Sequence, residues 1–293
     1  KNVKNGLHII EVSSFQLEDI FDFSPNIAII LNISEDHLDR YHSMKNYINA
    51  KMNIAKNMEK HDKLIFNSED GLILENIKTK AELVGFSLKK NIGEVFFMNK
   101  NKIYNSKEEK LISIDEINLL GDHNILNILA AATAAKVYEI SEKNIRNGIQ
   151  KTYPVDYRLQ KVNEINKISF FNDSKSTNVD SIIVAVNSFH ENLILILGGR
   201  DKGGDFKKII THLKNKVKQI IIFGESKKII EMQIKERIPI YIANSMKDAI
   251  HFSFKNAKSG DSILLSPGCT SYDMYDNFEH RGKDFNIEVS KLI

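Results

Sequence analysis

Residues 168–178 read ISFFNDSKSTN, a short apolar run that passes directly into small polar side chains and a lysine. Such a run predicts a buried strand, and a polar loop that leads into a helix is typical of α/β proteins. The alternation continues downstream, with candidate strands at Leu193–Leu197, Gln219–Phe223, Ile238–Ile242 and Ser262–Ser266. Helical patterns separate these strands, at Val179–Ser188, Phe206–Lys216, Lys227–Glu236 and Met246–Ala257. This half of the chain therefore predicts a doubly wound α/β domain.

The amino-terminal half predicts a second α/β domain of mixed character. Apolar runs of strand length lie at Leu7–Val12, Asn26–Ile33 and Lys63–Asn67. Short alternating pieces between Ala81 and Ile114, with a turn near Asn99-Lys100-Asn101, favour antiparallel hairpins. Helices are expected at Asn124–Tyr138 and Ser141–Gln150. Because Pro154 ends the preceding helix, we expect a linker at 153–157 and two domains, 1–154 and 155–293.

Composition narrows the class of protein further. The 293 residues carry 41 Lys and Arg against 38 Asp and Glu, a balance that gives no reason to expect nucleic-acid binding. A single cysteine, Cys269, excludes an internal disulfide framework and fits a reducing cytosol. No apolar run approaches the ~20 residues of a membrane span, and the polar first residues do not form a signal peptide. We therefore expect a cytoplasmic globular protein without a membrane span.

Polar residues follow two of the amino-terminal strand candidates. Glu11 lies at the end of the first run, and His37 lies within the acidic stretch that follows the second run. Open α/β sheets bind ligands at the carboxyl ends of their strands, where a carboxylate can organise a metal ion. A solvated strand end for Glu11, and a core or surface role for His37, are the alternatives.

Two helices carry further candidates. Lys51 falls on the apolar face of the helix that begins near Ser43, where it either extends to the surface or stays partly buried as a nucleophilic amine. Asn124 and Asn127 are three residues apart at a helix start, so they share a face. They suit a purine edge or a phosphate, and the alternative is ordinary helix capping.

The second domain contains three polar loops that follow predicted strands, at 172–178, 197–206 and 266–282. Small polar groups with a lysine at a helix start can bind an anion. The glycines of the second loop, Gly198, Gly199, Gly203 and Gly204, do not have the spacing of the dinucleotide fingerprint, so they give little evidence for NAD. Three such loops predict a ligand site between the domains.

Four strings together resemble one enzyme family. They are EVSSFQLE at 11–18, NISEDHLD at 32–39, NDSKSTN at 172–178 and SPGCTSYDMYDNFEHRG at 266–282. In order and spacing they are similar to the Mur ligases, and the first and last are specific to the branch that adds D-glutamate. The resemblance implies a central ATP-binding α/β domain followed by a Rossmann-like doubly wound carboxy-terminal domain.

The resemblance also implies the chemistry. The expected activity is ATP-driven amide formation in peptidoglycan precursor synthesis, with ATP and Mg²⁺ as cofactors. The expected partners are UDP-N-acetylmuramoyl-L-alanine and D-glutamate, bound to a monomer. The acceptor carboxylate takes the γ-phosphoryl group of ATP, and the D-glutamate amine then attacks the acyl phosphate. Catalysis of such a step depends mainly on positioning and on charge stabilisation.

Roles carry over position by position. By resemblance Glu11, His37 and Lys51, the last as a carbamate, are catalytic and hold magnesium, and Ser13 lies near the muramoyl substrate. The positions that match ATP contacts are Asn124, Asn127, Arg158, Asp173 and Lys175. The positions that match the D-glutamate pocket are Thr177, Lys202, Ser271 and Phe278.

Two departures from the family pattern stand out. Tyr157 occupies the place where a histidine usually precedes Arg158, and the phosphate loop Gly-x-x-Gly-Lys-Thr/Ser occurs nowhere in the sequence. We therefore expect the carboxy-terminal two-thirds of such an enzyme, inactive by itself. The alternative is a non-catalytic binding protein derived from a Mur ligase. A folate-type glutamate ligase is disfavoured by the match at Ser271–Gly282.

Overall fold

The chain divides into two compact units, each built on one six-stranded sheet. The computed structural model describes residues 6–35, 37–89, 93–234 and 238–292. One unit runs to Asn118 and also takes in Asp122–Thr152; the other comprises Leu119–Gly121 and the chain from Tyr153 onward. Helices pack on both sheets, which confirms the α/β class. Within the described ranges, no helix is both long enough and apolar enough to cross a bilayer.

The elements follow in chain order. The strands are β1 Ile27–Ile30, β2 Lys63–Asn67, β3 Glu82–Ser87, β4 Glu94–Asn99, β5 Lys102–Asn105, β6 Lys110–Ser113, β7 Gln160–Ile165, β8 Ile168–Asn172, β9 Leu193–Gly198, β10 Val217–Phe223, β11 Ile240–Ile242 and β12 Ser262–Leu265. The α-helices are α1 Ser14–Glu18, α2 Leu38–Tyr41, α3 Met44–Met52, α4 Gly71–Asn76, α5 Asp122–Val137, α6 Glu142–Gln150, α7 Val179–Asn187, α8 Ile210–Leu213, α9 Lys227–Ile234, α10 Met246–Asn256 and α11 Phe278–Ser290. Short 3₁₀ helices lie at Asn53–Ala55, Ile114–Glu116 and Phe206–Ile209.

The first sheet has the order β1-β2-β3-β4-β5-β6. Strands β1 to β4 pair in parallel, whereas β4, β5 and β6 are antiparallel. The predicted hairpins are thus confirmed for β4 to β6 only, because β3 is a central parallel strand. The predicted turn is confirmed as well: Lys100 and Asn101 have φ of 44° and 59°, and a two-residue hairpin turn with both residues left-handed follows the sheet twist.

The prediction of a strand at Leu7–Val12 is wrong. This segment has no regular structure, and Leu7, Ile9 and Ile10 are 57%, 90% and 65% exposed. A strand exists through the ladder bonds that it makes with a neighbour. In the described residues β1 pairs with β2 alone, so the apolar run at 7–12 has no ladder to join.

The second sheet has the order β11-β10-β9-β12-β8-β7 and is parallel except for β7, which pairs antiparallel to β8. Every residue of β9 is buried, and its side chains alternate between two cores. Helices α7 to α9 cover one face and α10 and α11 cover the other, which confirms the doubly wound prediction. Strand order reverses between β9 and β12, so their loops border a crevice of the kind that binds ligands in open α/β sheets.

Some boundaries differ from the prediction. The helix expected at Phe206–Lys216 is a 3₁₀ helix followed by the single turn α8. Strand β7 and helix α11 were not predicted, because the first is largely polar and the second begins inside a polar string. Three predicted features extend outside the described residues: the end of α9 at Glu236, position 36 of the acidic stretch, and residues 90–92 of the hairpin region.

Candidate functional site

In the first unit, the predicted residue Ser13 caps the start of α1, and the predicted residue Glu11 lies two residues before it. The hydroxyl of Ser13 accepts a hydrogen bond from the Gln16 backbone N–H at 3.3 Å. The Gln16 amide oxygen in turn accepts one from the Ser13 N–H at 2.9 Å, which completes a capping box. Both Ser13 and Glu11 are exposed, so each is available to a ligand.

An aromatic cluster brings both His37 and Lys51 against the ring of Tyr47. The His37 ring lies 4.9 Å from the Phe15 ring and 6.4 Å from the Tyr47 ring, centroid to centroid. The Lys51 Nζ lies 5.1 Å from the centroid of Tyr47, while the Lys51 side chain is half-buried. Because α3 carries both Tyr47 and Lys51 one turn apart, the helix itself sets this cation–π contact.

The predicted magnesium ligands of this region are Glu11, His37 and Lys51 as a carbamate. Among the described residues, no three His, Cys, Asp or Glu side chains lie close enough to hold a metal ion. Mg²⁺ takes one or two anionic oxygens from a protein and keeps several waters. Glu11 offers a carboxylate oxygen of this kind, and the imidazole of His37 offers a nitrogen.

Asn124 and Asn127 lie in the first turns of α5, as the sequence predicts. Asn124 is half-buried and Asn127 is exposed. The helix packs on β2, β3 and β4. The shared face of the two carboxamides can offer both donors and acceptors to a base or a phosphate.

In the second unit, Asp173 is the buried carboxylate of the site. It follows β8 and is 3% exposed. Its oxygens accept hydrogen bonds from the Ser176 hydroxyl, from the Ser266 hydroxyl at 2.9 Å and from the Leu159 N–H at 3.1 Å. Burial raises the pKa of Asp173 to about 6, and these hydrogen bonds together with the nearby Arg158 charge oppose the rise.

A buried arginine ties the three polar loops together, and the sequence did not assign it a role. Arg281 is fully buried in α11. Its guanidinium donates to the Ser174 hydroxyl at 3.0 Å, to the Ser174 carbonyl at 2.8 Å, to the Cys269 carbonyl at 3.0 Å and to the Gly198 carbonyl at 3.4 Å. Burial lowers the pKa of Arg281 to about 10, so it stays cationic at neutral pH. One side chain thus joins the loops that follow β8, β9 and β12.

Backbone contacts lock the same loops. Gly199 has φ of 135°, and a Cβ there would lie 2.2 Å from the Thr270 carbonyl oxygen, so only glycine fits. The next residue, Arg200, exchanges backbone hydrogen bonds with Thr270 in both directions. The Gly268 N–H donates to the Ser176 carbonyl at 3.0 Å. Gly198 and Gly199 therefore allow close packing of backbone on backbone, whereas a Cβ at Gly203 would meet nothing within 4 Å.

The predicted amino-acid-pocket residues lie on these loops. Ser271 is buried after β12, Thr177 is half-buried after β8, and Lys202 is exposed after β9. Phe278 begins α11, and the Lys175 Nζ lies 5.9 Å from its ring centroid. The structure thus brings Lys175 to Phe278. It places Thr177 and Ser271 on two loops that are hydrogen-bonded to each other.

Known proteins match both units of the chain. The family model described as Mur ligase middle domain matches residues 2–135, and the one described as Mur ligase, glutamate ligase domain matches residues 157–269. The UDP-N-acetylmuramoylalanine–D-glutamate ligase of Natranaerobius thermophilus is 42% identical over 291 residues, which cover 97% of this chain and 63% of the relative. The enzyme of that name from Bacteroides fragilis is 36% identical, with 99% and 67% covered.

Solved structures show the same fold. The UDP-N-acetylmuramate–alanine ligase of Thermotoga maritima superposes with a TM-score of 0.67 over 96% of this chain and 62% of that one, at 18% identity. The MurF ligase of Thermotoga maritima in complex with ADP gives a TM-score of 0.65 over 92% and 64%, at 15% identity. The chain spans about 63–64% of the length of the first curated relatives that it matches. The two family models and the near-complete alignment to these relatives establish that the chain belongs to the Mur ligase family.

Proposed function

We propose that the chain supplies the middle and amino-acid-binding domains of an ATP-dependent ligase that joins D-glutamate to UDP-N-acetylmuramoyl-L-alanine. The observation that carries this proposal is the 36–42% identity, over 97–99% of the chain, to ligases named for that reaction. The linked loops of the second unit support it, because they gather hydroxyls and a lysine where open α/β sheets bind ligands.

The proposed reaction has two steps. A carboxylate oxygen of the alanyl group attacks the γ-phosphorus of ATP, ADP leaves, and an acyl phosphate forms. The D-glutamate amine then attacks the acyl carbon, a proton is lost from nitrogen, and inorganic phosphate leaves with the former carboxylate oxygen. Both steps develop negative charge on phosphoryl oxygens, so cations and N–H donors must surround them.

In this proposal the first unit handles the phosphoryl group and the acceptor. Mg²⁺ supplies charge neutralisation at the transferring phosphoryl group when it is bound. Glu11, His37 and Lys51 as a carbamate would hold it, and the proposal is supported by the contact of both His37 and Lys51 with the Tyr47 ring. Ser13 offers its exposed hydroxyl to the muramoyl substrate.

The residues that match the family's ATP contacts belong to both units. Asn124 and Asn127 offer carboxamides at the start of α5. Arg158 offers an exposed guanidinium to the phosphates, while Asp173 and Lys175 lie in the loop after β8. The N–H of Leu159 donates to Asp173, so the residue that follows Arg158 is fixed to that loop.

D-Glutamate has two carboxylates and one amine, which must reach the acyl carbon unprotonated. Lys202 provides a cation for one carboxylate. The hydroxyls of Thr177 and Ser271 provide donors from two loops, and Phe278 closes the pocket.

A second candidate is a binding protein without ligase activity. The 293 residues contain no Gly-x-x-Gly-Lys-Thr/Ser phosphate loop, the segment whose backbone N–H groups and lysine hold nucleotide phosphates in many ATP-binding folds. Such a protein would still bind D-glutamate through the second unit.

Isotope transfer distinguishes the two candidates. The chain is combined with the amino-terminal third of the Natranaerobius relative, ATP, Mg²⁺ and D-glutamate. UDP-N-acetylmuramoyl-L-alanine is supplied with ¹⁸O in its carboxylate. We expect one ¹⁸O in each phosphate released, as the acyl phosphate requires. Phosphate without ¹⁸O would exclude the acyl phosphate, and D-glutamate binding without phosphate release would favour the binding protein.

A further inference from the structure

The Tyr157 ring packs against the start of α11, a contact that the sequence did not predict. The Tyr157 ring contacts the Phe278 ring edge-on, with centroids 6.5 Å apart. It also covers Gly282, where a Cβ would lie 2.2 Å from Cδ1 of Tyr157. Gly282 is one turn after Phe278, so the ring covers the inner face of the first turns of α11.

The backbone of Tyr157 is held in place from both sides. Tyr157 has φ of 63°, a left-handed conformation that non-glycine residues rarely adopt. Its N–H donates to the Gln160 amide oxygen at 3.1 Å, and its carbonyl accepts from the Lys175 N–H at 3.0 Å. Such a conformation persists only where surrounding contacts fix it, so the ring position is set by the loop after β8.

Phe278 is held by the same group of contacts. Its carbonyl accepts a hydrogen bond from the Ser174 hydroxyl at 2.8 Å, and the Lys175 Nζ lies over its ring. Within the described ranges, Tyr157 is the aromatic residue whose ring pairs with the ring of Phe278. The side chain at 157 therefore decides how far the Phe278 ring can move toward the linker.

We infer that Tyr157 is a positioning residue that fixes Phe278 and thereby sets the width of the amino-acid pocket. The inference rests on the proposed function, because the role of Phe278 in that pocket does. Tyr157 itself touches no reacting atom. An aromatic ring at this position is required for tight D-glutamate binding, while its hydroxyl is not.

A double-mutant cycle tests the contact without any ligand. Alanine is a better helix former than glycine, so Gly282→Ala should raise the melting temperature where space allows. With Tyr157 present the added methyl group meets the ring, and we expect Gly282→Ala to lower the melting temperature by about 5 °C. In the Tyr157→Ala background the same substitution should raise it by about 2 °C. The same sign in both backgrounds would overturn the inference.

Binding tests the function of the contact. D-Glutamate is titrated into the ¹⁵N-labelled 293-residue chain, and NMR shifts give the dissociation constant. We expect Tyr157→Phe to bind as the wild type does and Tyr157→Ala to bind about ten-fold more weakly. Tyr153→Ala is the matched control, since Tyr153 lies in the same linker and is 70% exposed.

The outcomes separate this inference from the proposed function. Equal binding by the wild type and Tyr157→Ala would overturn the positioning role and leave the D-glutamate pocket in place. Loss in Tyr157→Phe equal to that in Tyr157→Ala would also overturn it, because the hydroxyl would then matter. No binding of D-glutamate by the wild type would overturn the pocket and the inference with it.

Discussion

The backbone N–H of Leu159 donates a hydrogen bond to Oδ1 of Asp173 at 3.1 Å, across 14 residues of chain. Two residues earlier, the Tyr157 carbonyl accepts from the Lys175 N–H at 3.0 Å. These bonds hold Arg158 beside the loop that follows β8. The guanidinium of Arg158, the ammonium of Lys175 and the buried carboxylate of Asp173 consequently lie near the carboxyl end of β8. We propose that the ATP phosphates bind there.

The first prediction concerns the charge of Asp173. Because burial raises its folded pKa to about 6 from 3.8, the folded chain holds the Asp173 proton more tightly than the unfolded chain does. The free energy of unfolding therefore falls by about 3 kcal/mol as the pH rises from well below 3.8 to well above 6. Asp173→Asn does not ionise, so its stability relative to the wild type should rise by about 2 kcal/mol from pH 4 to pH 7.

Urea unfolding at pH 4, 5, 6 and 7 measures this difference. Glu191→Gln is the control, since Glu191 is an exposed loop carboxylate. A difference between Asp173→Asn and wild type that stays constant from pH 4 to pH 7 would contradict the prediction.

The second prediction concerns Arg281. Arg281→Met leaves the carbonyls of Ser174, Cys269 and Gly198 without the donor that they share. We expect a loss of about 3–5 kcal/mol in the free energy of unfolding, measured with urea. Lys283→Met, an exposed position of the same helix, should cost less than about 1 kcal/mol. Similar values for the two variants would refute a bracing role for Arg281.

The third prediction concerns Lys51 in the enzyme completed with a relative's amino-terminal third. Lys51→Ala should abolish activity, and a short carboxylate in solution should restore part of it, because it replaces the carbamate. Lys51→Arg should stay inactive, since a guanidinium keeps its charge and cannot take up carbon dioxide. Steady-state rates with and without acetate measure the effect, with the exposed Lys56→Ala as control. Full activity of either Lys51 variant would make Lys51 an ordinary surface lysine.

The fourth prediction concerns Lys202. In the completed enzyme, Lys202→Ala should raise the KM for D-glutamate at least ten-fold more than the KM for ATP, as roughly expected for a lost charge-assisted bond. Lys208→Ala, another exposed lysine of the same connection, should leave both values unchanged. A uniform loss for both substrates would remove Lys202 from the pocket.

Much of the fold follows from the sequence. The spans β2 and β8 match their apolar runs residue for residue, because polar residues bound each run. The run at Leu7–Val12 has an equally apolar pattern, but periodicity cannot show whether a neighbouring strand is there to pair with. Strand β7 was missed because an edge strand can be polar on both faces.

The site follows less completely. Residue types predicted three polar loops after strands of the second sheet, and hydrogen bonds link these loops in the structure. The burial of Arg281 could not be predicted, because arginine is almost never fully buried and its acceptor Ser174 lies 107 residues away. The contact between Tyr157 and Gly282 depends likewise on the position of α11, which the local pattern did not reveal.

The most direct test is D-glutamate incorporation measured by mass spectrometry. The 293-residue chain is incubated with UDP-N-acetylmuramoyl-L-alanine, ATP, Mg²⁺ and labelled D-glutamate, alone and with the amino-terminal third of the Natranaerobius relative. We expect no product from the chain alone, and an amide product with D-glutamate but not with L-glutamate once the amino-terminal third of the relative is supplied. Product from the chain alone, equal use of L-glutamate, or no product in the completed system would contradict this expectation.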